Sequence, residues 1–262
     1  MDFEVVAELL KDIPYTRPRH GKILFDFVSG SESKDILELG FAHGVSTCYL
    51  AAALDEMGQG SIVTIDFESS RYNDPNIFTL LERTGLMSYV TPVLSESSYN
   101  WELMKLIEEQ TYQGKCRPRF DFCFIDGGHL WEVDGLAFFL VDKLLKPGGW
   151  ILFDDVYWTY QDDIGHTELA KTIPEEQRHV AQIERVFSLL VCQHPGFENA
   201  TIREKWGWAQ KCIGRGREGP SNVVQEVYAK QGVLFDLMAI FNKIRSLRVI
   251  KRAKERNRSS LK

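Results

Sequence analysis

Apolar and polar positions change rhythm at intervals of about thirty residues along most of this chain, the spacing of strand–helix units. Short apolar runs of strand type stand at Asp35–Leu39, 61–66, 89–94, 121–125 and 150–153. Between them, segments at 45–56, 75–85, 97–110 and 130–145 repeat their apolar residues at helical spacing, and Gly85 and Pro147-Gly148-Gly149 stop two of these helices. Two further helices, over 3–10 and 20–29, precede the first strand. The alternation predicts βαβ units: a doubly wound, mostly parallel α/β sheet. After Asp155 the rhythm changes. Residues 156–174 are polar and irregular, 175–192 read as a helix, and 197–203 and 207–211 read as a closing antiparallel pair. The expected total is about seven strands with one antiparallel edge strand. Gly214 to Pro220 reads as a linker, and 221–256 as a helical extension, apolar at first and basic later. The organisation is therefore an α/β domain over 1–213, followed by 214–262 as linker and basic extension.

Composition narrows the class. The chain has 262 residues, of which 44% are hydrophobic, 26% charged and 12% aromatic, so disorder, collagen and coiled coil fit poorly. The start is acidic and lacks the basic and apolar blocks of a secretion signal. The longest apolar run, Ala137 to Val141, is too short to span a membrane. Cys48, Cys116, Cys123, Cys192 and Cys212 are scattered without a Cys-x-x-Cys pair, which suits reduced thiols and a cytoplasmic setting. Net charge is −6, yet from Lys243 onward nine Lys or Arg face one acid, leaving +8 there and −14 on residues 1–242. So acidic a body argues against a nucleic-acid groove.

In doubly wound sheets, ligands bind outside the carboxyl ends of the strands. Here those ends carry Glu38-x-Gly40, Asp66, Asp126 and Asp154-Asp155. Glu38-Leu39-Gly40-Phe41-Ala42-His43-Gly44-Val45-Ser46 joins the first strand to its helix. Gly40 and Gly44 allow a tight turn and close approach of a ligand, but the spacing is wrong for the Gly-x-Gly-x-x-Gly of a dinucleotide cradle. Glu38 would repel a phosphate and suits an amine or cation. Asp66 ends the second strand, where an acid binds ribose hydroxyls. Asp126 and Asp154 end neighbouring strands ~4.8 Å apart, and Asp155 follows. Three crowded carboxylates repel, so some are protonated or a hard cation such as Mg²⁺ sits among them. The alternative gives one of the acids to a helix cap or the cofactor, with no metal.

These motifs, with Ile65-Asp66, Phe124-Ile125-Asp126 and Pro147-Gly148-Gly149, resemble the class I S-adenosylmethionine-dependent methyltransferases, a Rossmann-like fold. The likeness is to the metal-dependent O-methyltransferases, which include the catechol type and related sugar and antibiotic enzymes. It covers about residues 20–158, extends weakly to 211, and leaves 214–262 outside. The resemblance implies S-adenosylmethionine as cofactor, with Glu38, Gly40, Ala42, Gly44 and Ser46 about its methionine half. It further implies Asp66 at the ribose, Ser97 by the adenine and Asp126 also at the cofactor. It implies Mg²⁺ on Asp126, Asp154 and Asp155. Gly128 stands where catechol-type members carry an aromatic residue. His129 stands where they carry a lysine base, and histidine near neutral pH accepts protons well.

The implied reaction is methyl transfer to a small-molecule hydroxyl, on a sugar or a phenol, with Asp126 and His129 as catalytic residues. A metal-independent methyltransferase, a nicotinamide oxidoreductase and a non-catalytic cofactor-binding module are the competing readings. Trp131, Tyr157, Trp158 and Tyr160 are candidates for an acceptor wall, while Trp206 and Trp208 read as core. His43 and His166 read as surface histidines. In the tail, Val233, Leu234, Leu237, Ile240, Phe241, Ile244 and Leu247 form an apolar stripe at helical spacing. That stripe suits packing on the body or on a second subunit of a homo-oligomer, and the basic end suits a membrane surface.

Overall fold

A computed structural model describes residues 1–163 and 168–214 of the protein. The linker beyond Gly214, the extension that follows it and His166 lie outside the described residues. The helices are α1 (Phe3–Leu10), α2 (Pro18–Ser31), α3 (Val45–Met57), α4 (Ile77–Thr84), α5 (Tyr99–Gln110) and α6 (Trp131–Leu144), followed by short turns of helix. The main sheet contains β1 (Asp35–Leu39), β2 (Ser61–Phe67), β3 (Val90–Ser95), β4 (Phe120–Ile125), β5 (Leu145–Phe153), β6 (Phe197–Arg203) and β7 (Trp206–Lys211). Its order is β3-β2-β1-β4-β5-β7-β6. The first five strands are parallel, β7 runs antiparallel to β5, and β6 runs antiparallel to β7.

The expected sheet is there, with one correction. The antiparallel strand is not at the edge: β7 inserts between β5 and β6, and the edge strand β6 points the same way as the first five. A two-residue turn at Glu204-Lys205 folds β7 back into the sheet, which places that turn at the carboxyl ends of the parallel strands.

Local chemistry explains the boundaries. Asp2, Asn76 and Ser98 cap α1, α4 and α5 through side-chain oxygens accepting backbone N–H. Pro18 opens α2 at a position whose N–H would be unpaired anyway. Gly58 and Gly85 end α3 and α4 in the left-handed region. Alternation in the strands splits the core in two. Ile36, Phe122, Phe124 and Leu152 pack on one face against α1 to α4, while Leu37, Leu39, Cys123, Ile125 and Ile151 pack on the other against α5, α6 and 183–192. Phe27, Phe122, Trp150 and Trp208 form an aromatic cluster in the first layer, with ring centroids 4.6 to 6.5 Å apart. Trp206 and Trp208 are buried, as the sequence implied.

Candidate functional site

The sheet reverses its winding between β1 and β4, and the candidate residues gather at that crevice. Gly40 follows β1 with φ +86, and a Cβ there would lie 2.0 Å from the Asp126 carbonyl oxygen. Only glycine lets the two strand ends come this close. The Gly40 N–H donates to Ile65 O and the Asp126 N–H to Leu39 O, both at 2.8 Å, so the ends of β1, β2 and β4 are tied together.

On the β1–β2 side, Glu38 is fully buried. Its Oε2 accepts from the hydroxyls of Thr47 and of Thr64, the latter at 2.6 Å, while Oε1 has no hydrogen-bond partner among the described residues. Burial raises the Glu38 carboxyl, and the neighbouring Ser46, Thr47 and Thr64 hydroxyls only partly oppose this. An orphaned, buried carboxylate oxygen at a strand's carboxyl end is the acceptor that a ligand amine would satisfy. Asp66 Oδ2 accepts from Phe41 N (2.9 Å) and Ala42 N (2.6 Å), and Oδ1 from Phe67 N (2.6 Å). It thereby shapes the 40–44 loop, in which Ala42 has φ +48, and keeps acceptor capacity for a hydroxyl. Ser46 is buried in the first turn of α3. Gly44 is the left-handed N-cap of that helix, against Ile77 of α4. Ser97 is exposed in the turn after β3. His43 receives a structural explanation: its Nδ1 is 2.6 Å from Pro75 O, which braces the neighbouring loop.

On the β4–β5 side, the structure brings Asp126, His129 and Asp155 together, with one ligand atom of each within 4.8 Å of the others. His129 Nε2 lies 3.9 Å from Asp126 Oδ1 and 3.6 Å from Asp155 Oδ2. Both His129 (φ +54) and Asp155 (φ +49) occupy the left-handed region, which His and Asp visit more readily than most non-glycine residues. Asp154 has other partners: Trp206 Nε1 and Asp155 N donate to its Oδ1, and Lys205 Nζ is 3.0 Å from Oδ1 and 3.1 Å from Oδ2. Lys205 Nζ also lies 2.9 Å from Asp155 Oδ1.

The electrostatics follow from this crowding. Burial, reinforced by Asp154 and Asp155, pushes the Asp126 carboxyl well above the usual range. Burial also raises Asp155, but His129 and Lys205 outweigh it and bring it down to about 2. Burial lowers His129, yet Asp155 and Asp134 prevail and hold the imidazole above its ordinary value.

A buried frame carries the His129 loop. Asp134 accepts from Tyr99 Oη at 2.5 Å and from Leu130 N at 2.9 Å, and Tyr160 Oη donates to Gly128 O. Trp158 meets the His129 ring edge-on at 5.2 Å and Tyr160 meets Trp158 at 4.7 Å. Of the expected aromatic wall, Trp158 and Tyr160 thus stand at the site. Tyr157 is half exposed, and Trp131 lines a separate cavity of about 450 Å³ with Val180, Arg185 and Leu189.

Sequence reasoning missed Lys205, Asp134 and Tyr99. Lys205 had one signal, a lone cation in the hairpin turn that enters the sheet antiparallel.

This strand order, with strand-end acids in one crevice, is the class I methyltransferase fold, Rossmann-like but with an antiparallel strand that an all-parallel dinucleotide fold lacks. Residues 37–156 match the family described as a methyltransferase domain. Comparison with curated proteins gives no match. Among solved structures, an O-methyltransferase from Bacillus cereus in complex with SAH is 24% identical. The match covers 79% of this chain and 87% of that one, with a TM-score of 0.56. The O-methyltransferase TomG of tomaymycin synthesis from Streptomyces achromogenes, in complex with SAM, is 19% identical over 80% and 89% of the two chains, TM-score 0.54. SAH-bound methyltransferase PaMTH1 from Podospora anserina is 15% identical over 80% and 88%, TM-score 0.54. These likenesses establish a shared fold.

Proposed function

We propose that the protein transfers the methyl group of S-adenosylmethionine to a hydroxyl oxygen of a small molecule, a phenol or a sugar, with Mg²⁺ assisting. One observation carries the reading: the orphaned carboxylate oxygen of Glu38 and the Asp126–His129–Asp155 group flank a single crevice at the β1–β4 switch point. The first suits the amino group of the donor, and the second suits an acceptor that must lose a proton. SAM or SAH in three of the solved neighbours supports the cofactor. The five free cysteines support a reducing, cytoplasmic setting.

S-adenosylmethionine supplies a methyl group already activated by its sulfonium sulfur. The protein's work is to bind, align and deprotonate. Glu38 Oε1 accepts from the amino group, Asp66 from a ribose hydroxyl, and Ser46, Ala42 and the Gly40–Gly44 backbone line the methionine half. Ser97 stands on the adenine side. Asp126, Asp155 and Asp154 would hold Mg²⁺, which lowers the pKa of an acceptor hydroxyl. Hard carboxylate oxygens fit that ion. His129 Nε2 takes the hydroxyl proton as the oxygen–methyl bond forms opposite the departing sulfur. Trp158 and Tyr160 give the acceptor side an apolar wall.

Calorimetry tests the donor: S-adenosylhomocysteine binds and NAD does not. Turnover of a panel of phenols and sugars, with Mg²⁺ and with excess chelator, tests the acceptor class and the ion. Loss of turnover in chelator, restored by Mg²⁺, is the expected result. A second reading is metal-independent transfer, favoured by the Lys205 ammonium already paired with Asp154 and Asp155. Full turnover in excess chelator would select it.

A further inference from the structure

We infer that Lys205 is a tethered cation built into the carboxylate cluster, where it sets how weakly a divalent ion is held. The inference rests on the divalent-ion reading above and goes beyond it. The ammonium lies within 3.1 Å of both Asp154 oxygens and 2.9 Å from Asp155 Oδ1. It therefore occupies lone pairs that an ion would need, and its charge repels a dication a few ångström away. Asp126 and the Oδ2 of Asp155, which faces His129, are left free of Lys205.

The backbone at Lys205 is fixed, so its ammonium has a short reach. Glu204 and Lys205 are the two-residue turn between the paired Arg203 and Trp206. The Lys205 carbonyl accepts from Val156 N at 2.8 Å, one residue past Asp155. The Glu204 carboxylate pairs with Arg19 of α2. Beside Lys205, the Trp206 indole donates to Asp154. The hairpin tip thus grips the Asp154-Asp155 pair through side chains and main chain, and the lysine side chain is two-thirds buried.

Lys205 is accordingly a positioning and tuning residue. It holds Asp154 and Asp155 in place when no ion is bound, and it must share them when one is. Loss of its charge should strengthen divalent binding, which damage to the fold cannot do.

The test is Mn²⁺ binding, followed by calorimetry and by the loss of the free-ion electron paramagnetic resonance signal. Wild type, Lys205→Gln and Lys205→Arg are compared, each with S-adenosylhomocysteine binding as the check of the intact crevice. The expected result is Mn²⁺ held at least about tenfold tighter by Lys205→Gln, with Lys205→Arg no tighter than wild type. Wild-type binding with no gain in Lys205→Gln would overturn the inference while leaving the ion reading intact. An equal gain in Lys205→Arg would also overturn it, since the charge is kept. No Mn²⁺ binding by wild type or by Lys205→Gln would overturn both the inference and the divalent-ion reading. If S-adenosylhomocysteine binds none of the three, the methyltransferase reading itself fails.

Discussion

His129 sits between two carboxylates, and they set its chemistry. Its imidazole is held above the ordinary value because Asp155 and Asp134 outweigh burial. The neutral, proton-accepting form then appears only as pH rises past that raised value. A divalent ion on Asp126 and Asp155 opposes that upward shift, so the pH–rate profile of the working enzyme should climb through a group near the ordinary histidine value, about 6.5. His129→Ala should lower kcat by roughly 10²–10⁴-fold, remove that limb, and leave S-adenosylhomocysteine affinity unchanged. His129→Lys should keep part of the turnover and move the limb to higher pH. Profiles unchanged in both variants would make His129 structural and send the proton elsewhere. Gly40 matters through space rather than chemistry. In Gly40→Ala a methyl group would meet the Asp126 carbonyl at 2.0 Å with φ at +86, so β1 and β4 must part. The expected cost is at least about 2 kcal/mol of stability by urea denaturation, together with weakened cofactor binding.

At the scale of elements, the amino ends of the strands carry a lock that the reading of the sequence did not find. Asp121 accepts from Lys34 N and Asp35 N at 3.1 and 3.0 Å, and Lys146 Nζ bridges Asp121 and Asp35 at 3.0 and 2.8 Å. Burial raises the Asp121 carboxyl, but the Asp35 amide, Lys146 and the Lys34 amide outweigh it, so it lies below the usual range. Its contribution is present above the ordinary carboxyl pKa and is lost as pH falls through the depressed value. Asp121→Ala should cost about 1–3 kcal/mol at pH 7. The gap to wild type should narrow in acid, read as urea midpoints at the two pH values. A gap independent of pH would assign the loss to packing. The strands themselves were legible because alternation and strand-end acids are local patterns. The helix expected at 175–192 was less so. The structure breaks it into Glu175–Arg178, Gln182–Arg185 and a wider turn at Val186–Val191. The break follows a distant partner, since the buried Gln182 side chain accepts from Trp131 N at 2.7 Å. The extension of β5 back to Leu145, through Pro147-Gly148-Gly149, likewise depends on its neighbour, for the pairing with β4 shifts register between Phe120 and Phe122.

For the whole molecule, the winding of the sheet sets two chemistries side by side across one crevice. Acids at the ends of β1, β2, β4 and β5 could be read from the chain because each ends its own strand. Lys205 carried only the weak signal of a cation in an expected hairpin turn, because its partner Asp154 is 51 residues away and the insertion of β7 between β5 and β6 is not a local pattern. The separation of the two halves predicts a double dissociation. Glu38→Gln keeps an acceptor for the Thr47 and Thr64 hydroxyls but turns the free oxygen into an N–H donor facing the donor's amine. It should weaken S-adenosylhomocysteine by about 1–3 kcal/mol. Asp126→Asn acts on the other half and should abolish turnover while binding S-adenosylhomocysteine as wild type does. Thermal unfolding reads both. A ligand at a hundredfold excess over its Kd adds about 2.7 kcal/mol to the stability of the form that binds it. Wild type and Asp126→Asn should therefore show the same rise in Tm with S-adenosylhomocysteine, and Glu38→Gln a much smaller one at the same concentration. Equal rises in all three would remove Glu38 from the cofactor side. Loss of the rise in Asp126→Asn would mean that β4 holds the cofactor as well, and that the two halves are one site.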